Sequence, residues 1–211
     1  MSPEAVRSEL YRARIIAILR EADPILCFTK AARLAEGGVT VLEITWTTPG
    51  AADIVKRISE AKLGLPGAGS IRTVAQAEEA YGAGAVFLVS PVLVRPVAEW
   101  AKVRGVVYVP GALTPNEILE AWALGGRPVK VFPCGCVGGP AYLKSVLAPM
   151  PELELVPTGG VSLNNMKAYL DAGAKVVGLG ESFTGGPDAT ANPGILVSRA
   201  RQAVALVAGS P

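Results

Sequence analysis

Val41-Leu42-Glu43-Ile44-Thr45 is a mostly apolar run, and the segment after it places Ala51, Ile54, Val55 and Ile58 at helical spacing. A strand that is apolar on both faces is typical of a parallel sheet covered on both sides. The three- and four-residue spacing after it predicts a helix whose apolar side packs against that strand. The two segments therefore predict one strand–helix unit of an α/β protein.

The same unit recurs along the chain. The predicted strands are Ile15–Leu19, Thr40–Thr45, Leu65–Gly69, Ala85–Val89, Val106–Val109, Pro128–Phe132, Leu153–Pro157 and Ala174–Gly178. Eight units in 211 residues predict a single (β/α)8 TIM barrel, with a short amphipathic N-terminal helix before it and a closing helix at Ile195–Val207. An open doubly wound sheet is the alternative, although no Gly-x-Gly-x-x-Gly follows the first strand. Because no linker divides the chain, we expect residues 1–211 to form one domain.

Composition excludes several classes of protein. Half of the residues are apolar and 18% are charged, which is typical of a globular protein rather than a disordered one. A net charge of +2 predicts neither nucleic acid nor an anionic membrane as a partner. No apolar stretch is long enough to span a bilayer, and the N-terminal segment lacks the uninterrupted apolar core of a signal peptide. A cytoplasmic protein is expected.

The chain has no histidine, which rules out Ser-His and Cys-His nucleophile pairs and any histidine metal site. Its cysteines, Cys27, Cys134 and Cys136, form a poor zinc signature, and their odd number fits a reducing compartment. We therefore expect no metal site. Acid–base chemistry must come from Glu, Asp, Lys or Tyr.

Lys130 interrupts the apolar run Pro128-Val129-Lys130-Val131-Phe132-Pro133. Lysine is rarely buried in full, because its ammonium loses several kcal/mol of hydration in a dry site. Burial favours the neutral amine, which is a nucleophile and can form a Schiff base with a carbonyl substrate. The alternative is a lysine at a sheet edge whose stem packs while its ammonium reaches water.

Glu43 is a second charged residue inside an apolar strand. Side-chain alternation turns Leu42 and Ile44 toward the helices, so Glu43 and Lys130 face the interior. Their strands, the second and sixth, contribute to the same interior layers of a barrel, which predicts that the two side chains are neighbours. An acid beside an amine suits imine chemistry, and a structural ion pair is the alternative.

Two glycine loops follow the seventh and eighth strands, Thr158-Gly159-Gly160 before a helix near Ser162 and Gly178-Leu179-Gly180-Glu181-Ser182. Exposed backbone N–H groups and helix N-termini at this place commonly bind phosphate in barrels. Ordinary loop glycines are the alternative. Glu181 is unfavourable beside a phosphate unless its carboxylate points away.

These landmarks resemble the class I 2-keto-3-deoxy-6-phosphogluconate aldolases, a family that includes 4-hydroxy-2-oxoglutarate and phosphogalactonate aldolases. The resemblance covers nearly the whole chain. It depends on six motifs, Val41-Leu42-Glu43-Ile44-Thr45, Gly67-Ala68-Gly69-Ser70, Ser90-Pro91, Val109-Pro110-Gly111, Val129-Lys130-Val131-Phe132-Pro133 and Pro157-Thr158-Gly159-Gly160-Val161.

The resemblance implies that Lys130 forms the Schiff base and that Glu43 shuttles protons. It further implies a homotrimer and two binding sets. The substrate-binding set is Arg20, Thr45, Ser70, Pro91, Phe132 and Thr158, and the phosphate-binding set is Gly159, Gly160, Gly180 and Ser182.

The chain departs from the family pattern at two places. The phosphogluconate branch has an arginine four residues after the glutamate for the substrate carboxylate, where this chain has Thr47. Ile16-Ala17-Ile18-Leu19-Arg20 instead resembles the phosphogalactonate branch, so the carboxylate role is carried to Arg20. Glu181 is the second departure, and it leaves room for non-phosphorylated substrates.

The predicted activity is class I cleavage of a 2-keto-3-deoxy-6-phosphosugar acid or 4-hydroxy-2-oxoglutarate, a small-molecule keto acid, without cofactor or metal. The products would be pyruvate and either glyceraldehyde 3-phosphate or glyoxylate. One alternative is a sugar-phosphate isomerase or epimerase with Glu43 as base and Lys130 as a charge clamp. Another is a non-catalytic barrel that binds a phosphosugar.

Overall fold

The computed structural model describes residues 1–209; Ser210 and Pro211, which the predicted domain includes, lie outside the described residues. The strands are β1 (Ile15–Leu19), β2 (Val41–Thr45), β3 (Leu65–Gly69), β4 (Phe87–Val89), β5 (Val107–Val109), β6 (Gly111–Ala112), β7 (Val129–Val131), β8 (Leu155–Pro157) and β9 (Val177–Leu179). The helices are α1 (Pro3–Ala13), α2 (Pro24–Glu36), α3 (Ala51–Glu60), α4 (Val74–Gly82), α5 (Arg95–Arg104), α6 (Pro115–Ala123), α7 (Pro140–Leu147), α8 (Met166–Asp171), α9 (Glu181–Thr184), α10 (Pro187–Ala191) and α11 (Ile195–Ala208).

All of the paired strands run parallel, and helices connect most of them, so the fold is α/β. One sheet has the order β5-β4-β3-β2-β1-β9 and the other the order β6-β7-β8. An isolated parallel bridge between Thr158 and Gly178 joins the end of β8 to β9. On the other side, only Pro110 separates β5 from β6. Since proline has no N–H to donate, it interrupts the ladder at that point.

The core has two apolar clusters on opposite faces of the strands. Leu42 and Ile44 belong to the cluster that packs under the helices, whereas Val41 belongs to an inner cluster with Val109 and Val156. Val129 and Val131 likewise belong to the helix-facing cluster. The predicted side-chain alternation in β2 and β7 is confirmed, and it directs Glu43 and Lys130 inward.

Local signals explain several element boundaries. Thr114 and Glu117 form a capping box at the start of α6, as the sequence predicts. The helix predicted to begin near Ser162 is present but starts four residues later, since Asn165 is the N-cap and α8 begins at Met166. The last predicted strand begins too early at Ala174, since the Ala174 N–H still donates to Tyr169 O in the terminal turn of α8.

No helix within residues 1–209 combines the length and the apolar character needed to cross a lipid bilayer.

Candidate active site

A cavity of about 950 Å³ opens at the carboxyl ends of β1, β3, β8 and β9. Parallel α/β sheets place their ligand sites at this edge. The predicted site residues that line it are Arg20, Glu43, Ser70, Pro91, Lys130, Phe132, Thr158, Gly159, Gly160, Gly180 and Ser182. Thr45 does not line the cavity; its buried hydroxyl lies 3.1 Å from the Thr47 hydroxyl, which does.

Glu43 and Lys130 meet at the base of this cavity. Glu43 is 2% exposed and Lys130 is 7% exposed, and Lys130 Nζ lies 4.0 Å from Glu43 Oε1. The predicted proximity of the two side chains is confirmed. Because 4.0 Å exceeds a hydrogen-bond length, an oxygen of a ligand can approach the amine while contacting the carboxylate. The Lys130 amine also lies 5.3 Å from the centre of the Phe132 ring.

The surroundings of Glu43 change its acidity. Burial raises the pKa of the Glu43 carboxyl above its ordinary value of 4.5, and the positive charges of Lys130 and Arg20 oppose part of that rise. A carboxyl with a raised pKa exchanges protons closer to neutral pH, which is what a proton shuttle requires.

Gly69 creates the space that the Glu43 carboxylate occupies. Gly69 ends β3, beside β2, and a Cβ built on it would lie 1.9 Å from Glu43 Oε1. No real Cβ approaches an oxygen so closely, so any side chain at position 69 must displace the carboxylate. The position of the Glu43 carboxylate therefore depends on glycine at position 69.

Under the proton-shuttling role that the family resemblance implies for Glu43, Gly69→Ala is expected to lower kcat by about 10²-fold, because a shift of about 1 Å in a catalytic group has an effect of this size. Steady-state kinetics on the keto acids that the resemblance implies as substrates measure it. Gly82→Ala is the matched control, since a Cβ at Gly82 meets no atom within 4 Å. Equal activity of Gly69→Ala and the wild type would contradict the proposed constraint.

Arg20 and Ser70 lie together at the rim. Arg20 is exposed just after β1, and its Nη2 lies 3.5 Å from Ser70 Oγ, within reach of a weak hydrogen bond. Ser70 follows β3 with a left-handed φ of 60°. The two side chains provide hydrogen-bond donors at the cavity opening, where an anionic carboxylate could bind.

The two predicted phosphate loops both reach the cavity. Gly159 and Gly160 have left-handed φ values of 79° and 82°, and the Ser182 hydroxyl donates to Val161 O over 2.7 Å. α8 begins at Met166, six residues after Gly160, so its N-terminus does not follow the first loop directly. The helix dipole acts only close to the helix end, so α8 does not give this loop the positive potential that the sequence predicts. Glu181 also lines the cavity.

Sequence reasoning missed three charged residues of the cavity wall, Glu21, Lys30 and Arg72. Lys30 carried a signal that could have found it. It continues the apolar stripe of α2 at helical spacing with Cys27, Ala31 and Leu34, all of which are buried. A lysine on such a stripe is buried with it.

Within residues 1–209, no group of three or more Cys, Asp or Glu side chains is arranged to hold a metal ion.

Known proteins resemble this chain over most of its length. Residues 6–191 match the family model "Aldolase: KDPG and KHG aldolase". The 2-dehydro-3-deoxy-phosphogluconate aldolase of Pseudomonas aeruginosa is 42% identical over 160 residues, 74% of this chain and 70% of that protein.

Solved structures of aldolases from the same family also resemble this chain. A 4-hydroxy-2-oxoglutarate aldolase/2-deydro-3-deoxyphosphogluconate aldolase from TTHB1 is 35% identical with a TM-score of 0.81, covering 98% of this chain and 99% of that chain. The KDPG aldolase of Legionella pneumophila, solved with pyruvate captured at low pH as a covalent carbinolamine intermediate, is 26% identical with a TM-score of 0.83, covering 95% of this chain and 97% of that chain. The chain belongs to the KDPG and KHG aldolase family.

Proposed function

We propose that the chain is a class I aldolase that cleaves a 2-keto-3-deoxy-6-phosphosugar acid or 4-hydroxy-2-oxoglutarate to pyruvate and an aldehyde. The aldehyde is glyceraldehyde 3-phosphate or glyoxylate, respectively. The observation that carries the proposal is the buried Glu43–Lys130 pair, with 4.0 Å between carboxylate and amine, at the base of a cavity that opens to solvent. The carbinolamine held by the Legionella relative supports the same chemistry.

In this mechanism, the Lys130 amine attacks the C2 ketone, and Glu43 supplies and removes protons until water leaves. The protonated imine then withdraws electrons from C3. Removal of the C4 hydroxyl proton breaks the C3–C4 bond, which releases the aldehyde and leaves an enamine on Lys130. Protonation of C3 and hydrolysis of the imine release pyruvate and restore the amine.

The remaining predicted residues bind the two ends of the substrate. Arg20 pairs with the C1 carboxylate beside Ser70, and Thr158 contacts the pyruvyl end. Pro91 and Phe132 form the apolar wall, while Thr45 supports Thr47. Gly159, Gly160, Gly180 and Ser182 bind the phosphate through backbone N–H groups. Support for these roles is that all of them except Thr45 line one cavity.

We also infer a finer description of the fold and its setting. The sheets close into a single (β/α)8 barrel of residues 1–211, supported by the continuity of β5 with β6 and by the Thr158–Gly178 bridge. The N-terminal helix is the predicted amphipathic segment. We propose a cytoplasmic homotrimer, as the family resemblance implies, and light scattering of the purified chain tests the assembly.

Borohydride reduction in the presence of pyruvate tests the proposed function. An imine becomes a stable secondary amine, so peptide mass analysis is expected to find the adduct on Lys130. An isomerase or epimerase with Lys130 as a charge clamp forms no such adduct. Failure of pyruvate to label the wild-type protein would overturn the aldolase proposal.

The pH dependence of kcat/KM follows from the raised pKa of Glu43. Its carboxylate must accept a proton, so activity falls as pH drops through that pKa, and the acid limb has its midpoint above 4.5. Rates measured between about pH 4 and 8 check this. Glu43→Gln is expected to lack the limb, and a limb that persists in this variant would assign it to another group.

A further inference from the structure

A second buried lysine lies in the wall of the cavity, apart from the Glu43–Lys130 pair. Lys30 on α2 donates from Nζ to Glu21 Oε1 over 2.6 Å. Both residues line the cavity. A buried ion pair gains little over apolar packing of similar volume, so stability alone is a weak reason to place charges here.

Glu21 is the member of the pair that faces the cavity. The Lys30 side chain is 1% exposed, whereas that of Glu21 is 15% exposed. The backbone N–H of Glu21 donates to Thr48 Oγ1 over 3.3 Å, which holds the main chain beside β2. Lys30 thus holds one carboxylate oxygen of Glu21, Oε1, by a hydrogen bond. The other, Oε2, accepts no hydrogen bond from the described residues.

The wall of the cavity carries further hydrogen-bond acceptors besides Glu21. Glu181 and the hydroxyls of Thr184 and Thr190 line the same cavity. The Thr184 hydroxyl donates to Ile18 O over 3.0 Å, which ties α9 to the end of β1 that leads into Glu21. Carboxylates accept hydrogen bonds and repel anions, so Glu21 suits a substrate hydroxyl and disfavours a second carboxylate beside it.

We propose that Glu21, positioned by Lys30, accepts hydrogen bonds from the hydroxyls of the substrate between its keto group and its distal end. The site then selects 2-keto-3-deoxy sugar acids over 4-hydroxy-2-oxoglutarate. This inference rests on the proposed aldolase function and assigns its substrate class.

The two substrates differ at C5, where Glu21 would contact them. Both have a hydroxyl at C4, but C5 bears a hydroxyl in the sugar acid and is a carboxylate in 4-hydroxy-2-oxoglutarate. A site built to bond a hydroxyl discriminates strongly against an analogue that lacks it, since a polar group of the site is then left unpaired. Repulsion between Glu21 and the C5 carboxylate adds to this preference.

The experiment compares kcat/KM for three substrates: 2-keto-3-deoxy-6-phosphogluconate, the same acid without phosphate, and 4-hydroxy-2-oxoglutarate. Glu21→Gln keeps the shape and removes the charge. We expect kcat/KM for both sugar acids to fall about 10-fold, and kcat/KM for the dicarboxylate to stay level or rise. An equal loss with and without phosphate shows that hydroxyls, rather than phosphate, are recognised.

Lys30→Met tests the positioning role. It is expected to lower the sugar-acid to dicarboxylate ratio in the same direction, mainly through KM, while the double variant with Glu21→Gln loses no more than Glu21→Gln alone. The double variant also leaves no uncompensated buried charge, so it serves if a single variant fails to fold. Glu36→Gln, in an exposed ion pair with Arg33 on the same helix, is the control and should keep the wild-type ratio.

Pyruvate trapping separates this inference from the proposed function. Pyruvate has no hydroxyl for Glu21 to bind, so borohydride is expected to label Lys130 equally in the wild type and in Glu21→Gln. Labelling of both with an unchanged substrate ratio would overturn the inference and leave the aldolase proposal standing. No labelling of the wild type would overturn both.

Discussion

Lys130→Ala is expected to lower keto-acid cleavage by about 10⁴-fold or more and to abolish borohydride-dependent labelling with pyruvate. The reason is chemical. The buried amine at the base of the cavity is the group that forms the imine. The other cations of the lining are the exposed Arg20 and Arg72 and the buried Lys30, whose amine is held by Glu21 at 2.6 Å. A guanidinium keeps its proton and cannot replace an amine as a nucleophile. Single-turnover cleavage assays and intact mass after reduction measure the two effects.

Two further variants separate chemistry from folding. Lys130→Met retains most of the side-chain volume in β7, so it should fold and remain inactive. Lys144→Ala removes an exposed lysine from α7 and should keep full activity and labelling. Near-normal cleavage by Lys130→Ala, or labelling of another lysine in that variant, would show that the nucleophile is misassigned.

Glu43→Gln is expected to lower kcat by about 10²–10⁴-fold, which is the usual contribution of a general acid–base group. The amide fits the space beside Gly69 but cannot exchange a proton with the carbinolamine. Because Lys130 is still present, pyruvate labelling should become slower rather than disappear. Rapid-quench measurements of cleavage and of labelling rates distinguish the two effects.

Glu60→Gln is the matched control for this variant, since Glu60 is exposed at the end of α3, 4.0 Å from Lys56. It is expected to behave as the wild type. A Glu43→Gln variant that kept the wild-type kcat would exclude the carboxylate as the proton shuttle and leave it a structural partner of Lys130.

Much of the strand framework follows from the sequence because local pattern and tertiary role agree. Ile15–Leu19 and Leu65–Gly69 form β1 and β3 with the predicted bounds. β6 was not predicted, since Pro110-Gly111 resembles a turn. Its pairing depends on a distant partner, because the Lys130 N–H donates to Pro110 O over 2.9 Å and Gly111 pairs with Lys130 across the ladder. The local sequence pattern around Pro110 does not predict this hydrogen bond to Lys130, which is distant in the chain.

The candidate site likewise has features that the sequence predicts and features that it does not. The proximity of Glu43 and Lys130 is predictable, because side-chain alternation directs both charged residues into the same interior space between the strands. Thr45 shows the limit of that reasoning. It shares the inward face of β2 but lies one step beyond Glu43, and its hydroxyl contacts Thr47 and Thr48 instead of the cavity. The Lys30–Glu21 pair depends on side-chain conformation, which periodicity does not specify.

Gly69 has a consequence for how this gene can vary. Each single-base change that alters a glycine codon to encode another amino acid adds at least a Cβ, and a Cβ here overlaps the carboxylate of Glu43. Selection for turnover is then expected to act against missense alleles at position 69, although glycine has no reactive group. Sequence variation at this position is therefore restricted because the residue there must have no Cβ.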